Sequence, residues 1–83
     1  MTVYPNPVTG NELRLQFHGV AAGKYQLRLL NYLNQQVYSA TVNVPGPDAV
    51  LPLHWSNKIL PGYYLLEAVH NNGQRFVRAV VIQ

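Results

Sequence analysis

Three histidines, two serines and three carboxylates are the residues of this 83-residue chain best suited to chemistry. His18, His54 and His70 lack the i, i+4 spacing with which a helix turns two ligands to one metal, and there is no cysteine to complete a site. The expectation is no metal and no cofactor. Ser39 and Ser56 are the only serines, and neither lies in the Gly-x-Ser-x-Gly turn that exposes a nucleophile. A set of Ser56, His54 and Asp48 can be drawn on paper, but its spacing matches no known arrangement. Glycoside hydrolysis needs two carboxyls roughly 5–10 Å apart in a cleft. Glu12, Asp48 and Glu67 fall in three separate segments. The glycines are isolated, so no loop is built to cradle a phosphate. No catalytic residue is assigned, and the chain reads as something other than an enzyme.

Composition narrows the classes further. Charged residues make up 11% of the chain, against roughly 25% in an average soluble domain. Eight Asn and six Gln supply much of the polar surface instead. The net charge is +3, with Lys24, Arg28, Lys58, Arg75 and Arg78 scattered and Arg14 apart from them. A nucleic-acid binder shows a basic stripe interleaved with aromatics; none is present, so no nucleic-acid partner is expected. No apolar stretch approaches the ~18 residues of a membrane span. The start, Met1-Thr2-Val3-Tyr4-Pro5, lacks the charged and then apolar run of a signal peptide. Met1 stands directly before a strand-like segment, as an added start residue on an excised domain would. With 48% apolar residues the chain can fold. Its length allows one domain, 1–83, with a thin core held by packing alone.

The elements that position these residues follow a period of two. Leu13, Leu15 and Phe17 alternate with Arg14 and Gln16, which predicts a half-buried strand over 12–18. Tyr25, Leu27 and Leu29 alternate with Gln26 and Arg28 in the same way, with 19–23 as a short hairpin loop between. Asn34 tolerates the left-handed conformation that a tight turn after Asn31 needs. A strand over 36–44 is rich in β-branched residues, and Pro45-Gly46-Pro47-Asp48 ends it. A short strand over 49–53 contains Pro52, which places it at a sheet edge. Residues 54–60 are the one helix candidate, capped by Ser56 and stopped by Pro61-Gly62 within about a turn. Strands over 63–70 and 74–82 flank Asn71-Asn72-Gly73, a hairpin turn. With a short strand at 2–4 the count is seven. The fold expected is all-β, a seven-stranded antiparallel immunoglobulin-like β-sandwich.

Nine aromatics remain to be placed. Phe17, Tyr25 and Tyr64 have the inward parity of their strands and are expected in the core. Tyr4, Tyr32, Tyr38, Trp55 and Tyr63 are candidates for exposure, and a row of them would suit sugar stacking. Tyr4-Pro5-Asn6-Pro7 forms a stiff non-helical corner, because each proline fixes its own φ and restricts the residue before it. Pro61-Gly62 makes a turn, and Tyr64 just beyond it is placed to fold its hydroxyl back onto the turn backbone, as in the tyrosine corner of sandwich folds.

Taken in order, four segments resemble the C-terminal sorting domain of type IX secretion, the Por secretion tail. Val3-Tyr4-Pro5-Asn6-Pro7-Val8 is similar to the family's opening motif. Leu27 through Asn34 resembles its central hairpin, with Asn31 where Asp is usual and Asn34 where Gly is usual. Ile59 through Leu66 looks like its Leu-x-x-Gly-x-Tyr strand start. Gly73 through Gln83 is similar to its terminal strand, although Arg78-Ala79 stands where a Lys is common and no basic residue ends it. The resemblance implies a secretion signal that directs a covalently linked N-terminal cargo through the type IX outer-membrane translocon. A sortase-like protease then cuts the signal off, upstream of this chain. It implies passage through the periplasm of a Gram-negative bacterium to the cell surface or medium. The residues it marks for recognition are Tyr4, Pro5, Asn6, Pro7, Gly62, Tyr64, Val80, Val81, Ile82 and Gln83. If the strand from Phe76 to Gln83 lies at a sheet edge, it can add to a partner. The competing expectation is a fibronectin-type-III-like or carbohydrate-binding accessory module, with Trp55 as its stacking residue.

Overall fold

A computed structural model describes all 83 residues. It holds seven strands and no helix: β1 Thr2–Tyr4, β2 Glu12–Phe17, β3 Gly23–Leu30, β4 Gln36–Val44, β5 Ala49–His54, β6 Gly62–His70 and β7 Arg75–Ile82. They form two sheets, ordered β1-β2-β5 and β4-β3-β6-β7, and every neighbouring pair is antiparallel. The sheets enclose a core of sixteen buried residues in a sandwich-like arrangement. Alternation does the sorting, because successive side chains point to opposite faces of a strand. Leu13, Leu15 and Phe17 from β2 meet Tyr25, Leu27 and Leu29 from β3, with Leu66, Ala68, Val80 and Ile82 beside them. A one-residue slip in any of these strands would turn that set to solvent.

Strand boundaries follow the sequence reading to within one or two residues, and Pro52 lies on an edge strand as expected. Asn34 has φ 62°. The Asn31 side-chain oxygen accepts from the backbone N–H groups of Leu33 and Gln35, so Asn performs the acceptor role that Asp usually takes in this turn. Three expectations fail. The segment 19–23 is not a hairpin loop: β2 and β3 belong to different sheets. It crosses between them, anchored by buried Val20 and by the Val20 N–H on the Pro47 carbonyl. Residues 54–60 are not helical. The Trp55 N–H bonds the Asn11 carbonyl across the sheet instead, and the indole fills the core. Trp55 is therefore not exposed (3% accessible), and Tyr38, half-buried, packs against it.

The topology contains an internal two-fold. The run β2-β3-β4 and the run β5-β6-β7 are built alike: one strand in the smaller sheet, a crossover, then a hairpin in the larger. β2 pairs antiparallel with β5, and β3 with β6, so the halves meet along their own equivalents. The two crossovers share a pattern, Val20-x-x-Gly23-x-Tyr25 and Ile59-x-x-Gly62-x-Tyr64. In each the tyrosine hydroxyl donates to the carbonyl four residues upstream, Tyr25 to Ala21 and Tyr64 to Leu60. Both glycines have positive φ, 124° and 155°, a backbone that side-chain-bearing residues rarely adopt. Only β1 has no counterpart.

Candidate functional site

The lead-in after β1 begins with two prolines around one asparagine, and both X-Pro bonds are cis. It carries Asn6 and Val8 along the outer side of β7. The Asn6 side-chain amide donates to the Ala79 carbonyl at 3.2 Å and accepts from the Val81 N–H at 3.0 Å. The Val8 N–H donates to the Val81 carbonyl at 2.7 Å, and the Gln83 N–H donates to the Val8 carbonyl at 2.8 Å. Val8 thus makes a short parallel bridge with Ile82 while its side chain is fully buried. The Arg78 Nε–H adds a bond to the Met1 carbonyl at 2.8 Å. The start and the end of the domain form one clasp.

Most of the residues singled out in the sequence belong to it. Asn6 meets Val81; Gly62 pairs with Ile82 and Tyr64 with Val80 in the β6–β7 register. Val80 and Ile82 point into the core, while Gln83 is exposed. Pro7 is exposed between the two anchoring residues. Tyr4 and Pro5 turn elsewhere: they line a separate shallow depression with Thr9, Glu12 and Arg14. Tyr64 occupies the folded-back position expected of it. The strand-addition expectation for Phe76–Gln83 needs correction. β7 is an edge strand, but from Ala79 onward its outward hydrogen-bonding groups are taken by Asn6 and Val8. The outer edge that remains lies before Ala79.

Several contributing residues escaped the sequence reading. Glu67 has the outward parity of β6 yet is buried, held between Arg28 and Arg75. Burial pushes its carboxyl pKa up, but the hydrogen bonds and charges of Arg75 and Arg28 outweigh this and hold it below the usual carboxylate range. Opposite charges on three adjacent strands were the available signal: Arg28 faces Glu67 in the β3–β6 register, and Arg75 reaches it diagonally from β7, two places from Val77, the register partner of Glu67. His70 is also buried: its Nε2 bonds the Ala22 carbonyl, and its Nδ1 accepts from the Asn72 N–H. Those partners fix the neutral tautomer with the proton on Nε2. Asp48 pairs with His18 and caps the Gly19 N–H rather than approaching His54. Burial pushes the Tyr25 hydroxyl pKa up, so it stays a donor to Ala21. No buried side-chain polar atom lacks a partner.

The geometry thus builds a surface rather than a cleft, at the place where the domain's two ends meet. Residues 2–83 match the family model of the secretion system C-terminal sorting domain, and the chain belongs to that family. It is a type IX sorting signal, which is attached to a cargo and directs export to the cell surface or the medium. No curated protein and no solved structure matches it. The accessory-module reading loses its stacking residue with the burial of Trp55. No helix is long and apolar enough to cross a membrane.

Proposed function

We propose that this domain is a non-catalytic address label whose folded outline, closed by the clasp, is recognised by outer-membrane components of the translocon after its cargo has reached the periplasm. A sortase-like protease then removes it from the cargo. The label is immunoglobulin-like. That reading is supported by the strand order, which corresponds to A-B-E on one sheet and C′-C-F-G on the other, and by Tyr64 at the E–F corner. Tyr4, Pro5, Asn6, Pro7, Gly62, Tyr64 and Val80 through Gln83 define or support the recognised end. The observation that carries the proposal is the Asn6 amide bridging Ala79 and Val81. It makes the opening motif and the terminal strand, the two ends of the family pattern, one object.

The test fuses this domain to a periplasm-targeted reporter in cells with and without a working translocon. The reporter should reach the surface only where the translocon works. Removal of Val80 to Gln83 should leave it in the periplasm; normal export of that deletion would refute the proposal.

A further inference from the structure

The clasp holds the domain closed, but its polar groups are spent within the fold. A reading surface needs free groups. Seven large apolar side chains are exposed, and five of them belong to two short segments: Tyr32 and Leu33 in the β3–β4 turn, and Leu60, Tyr63 and Leu65 at the start of β6. Tyr32 is 86% and Tyr63 78% accessible. Between the segments lies a groove of about 280 Å³, reaching Ala79 on β7. An apolar cluster left open on a small domain marks an interaction site.

We propose that this groove is where the sorting signal is read, by an uncharged extended segment of the secretion machinery that inserts one large apolar side chain between Tyr32 and Tyr63. The inference rests on the sorting role and adds the surface and the chemistry of its partner. Three observations choose the occupant. No charged side chain lines the groove, so it complements a neutral segment rather than an anionic headgroup or a nucleic acid. On the same sheet, Arg28 and Arg75 are tied to Glu67. Two polar groups at the rim are already used: the Asn31 amide bonds Leu33, Gln35 and the Gln35 side chain, and the Tyr64 hydroxyl bonds Leu60, while the Tyr32 and Tyr63 hydroxyls and the Asn34 amide make no bond within the domain. The surface that faces the groove is nonetheless mostly apolar, which suits an apolar side chain better than a sugar. Finally, the volume lies at the small end of the ~300–1,000 Å³ typical of small-molecule pockets, room for one large side chain of a longer partner. Tyrosines flanking such a pocket are the usual anchors of protein interfaces.

The experiment uses the same reporter fusion with Tyr32→Ser, Tyr63→Thr and the pair, beside Val50→Thr on the exposed face of β5. Thermal midpoints of the purified variants check folding. A benzophenone amino acid at position 32 or 63 then captures whatever occupies the groove during export. Surface delivery should fall about tenfold or more for the pair, the loss of roughly 1.4 kcal/mol or more of recognition, with midpoints unchanged and Val50→Thr delivered normally. The benzophenone should cross-link to outer-membrane translocon proteins and not in cells lacking them. Normal delivery of the paired variant, or cross-links only to lipid or to a second copy of the domain, overturns the inference. Failure of the unaltered fusion to reach the surface would instead defeat the sorting role itself.

Discussion

The two halves of the sandwich, β2-β3-β4 and β5-β6-β7, use one plan and close it differently. Along the outer side of β4, the first half is held by side chains: the Tyr38 hydroxyl on the His54 carbonyl and the Asn57 amide on the Val37 carbonyl. Along the outer side of β7, the second half is held by the lead-in, with backbone bonds from Val8 and a two-point contact from Asn6. Exposed sheet edges invite pairing with other chains. The first half blunts its β4 edge with side chains. The second covers its edge with another piece of the same chain. The difference teaches that the part without a symmetry mate serves both halves: β1 pairs with β2 of the first, and the lead-in finishes the second.

The largest test of that asymmetry removes Val80 to Gln83. Two fully or nearly buried aliphatic residues and all backbone bonds to Val8 go with them. Losses of ~2–5 kcal/mol per buried aliphatic should consume most of the stability of so small a domain. Circular dichroism on heating should show no cooperative transition, or one at a much lower temperature.

The matched glycines sharpen the comparison next. A Cβ on Gly23 would lie 2.9 Å from the His70 Nε2, and one on Gly62 would come no nearer than 3.8 Å to Tyr64. Both positions also carry backbone strain for any side chain. Gly23→Ala should cost about 3 kcal/mol and Gly62→Ala about 1–2 kcal/mol in urea unfolding. Equal costs would mean that the His70 contact is slack.

Glu67 lies where the halves join, bonded to Arg28 of one and Arg75 of the other. Its pKa is lowered in the folded state, so its contribution is present above the unfolded carboxylate range and is lost as pH falls through the folded value. Glu67→Gln should destabilise by roughly 2 kcal/mol at neutral pH and flatten the loss of stability expected as pH falls below the ordinary carboxylate range. An unchanged acid profile would mean that Arg28 and Arg75 do not hold the Glu67 carboxyl down in the folded state.

The smallest effects come from the two seams themselves. Asn6→Ala loses two hydrogen bonds and should cost about 1–2 kcal/mol, while Tyr38→Phe loses one and should cost about 0.5–1 kcal/mol. Hydrogen exchange should rise at the Val81 amide in the first variant and leave it protected in the second. The reverse ranking would make the side-chain seam the stronger.

What the sequence revealed was local. Alternation at Leu13-Leu15-Phe17 and Tyr25-Leu27-Leu29, with a turn signal at each gap, defines strands because the rule acts over neighbouring residues. Sheet membership was not legible in the same way: 19–23 has the small residues of a hairpin, and only the burial of Val20 turns it into a crossover. Trp55 misled for a related reason, since one apolar residue beside His54 and Ser56 carries no periodicity. The clasp depends on Asn6 finding Val81, 75 residues away, and no local pattern announces such a contact. The second Gly-x-Tyr was legible: Val20-x-x-Gly23-x-Tyr25 repeats the pattern read at Ile59. Reading 19–23 as a loop hides it.

The distance between the clasp's two sides gives the domain a property of its own. Asn6 and Val8 wait for Ala79, Val81 and Gln83, so no shorter version of the chain can be finished. A chain cut before Ala79 leaves Asn6 and Val8 with nothing to hold, and one without its lead-in leaves the outer edge of β7 bare along its whole length.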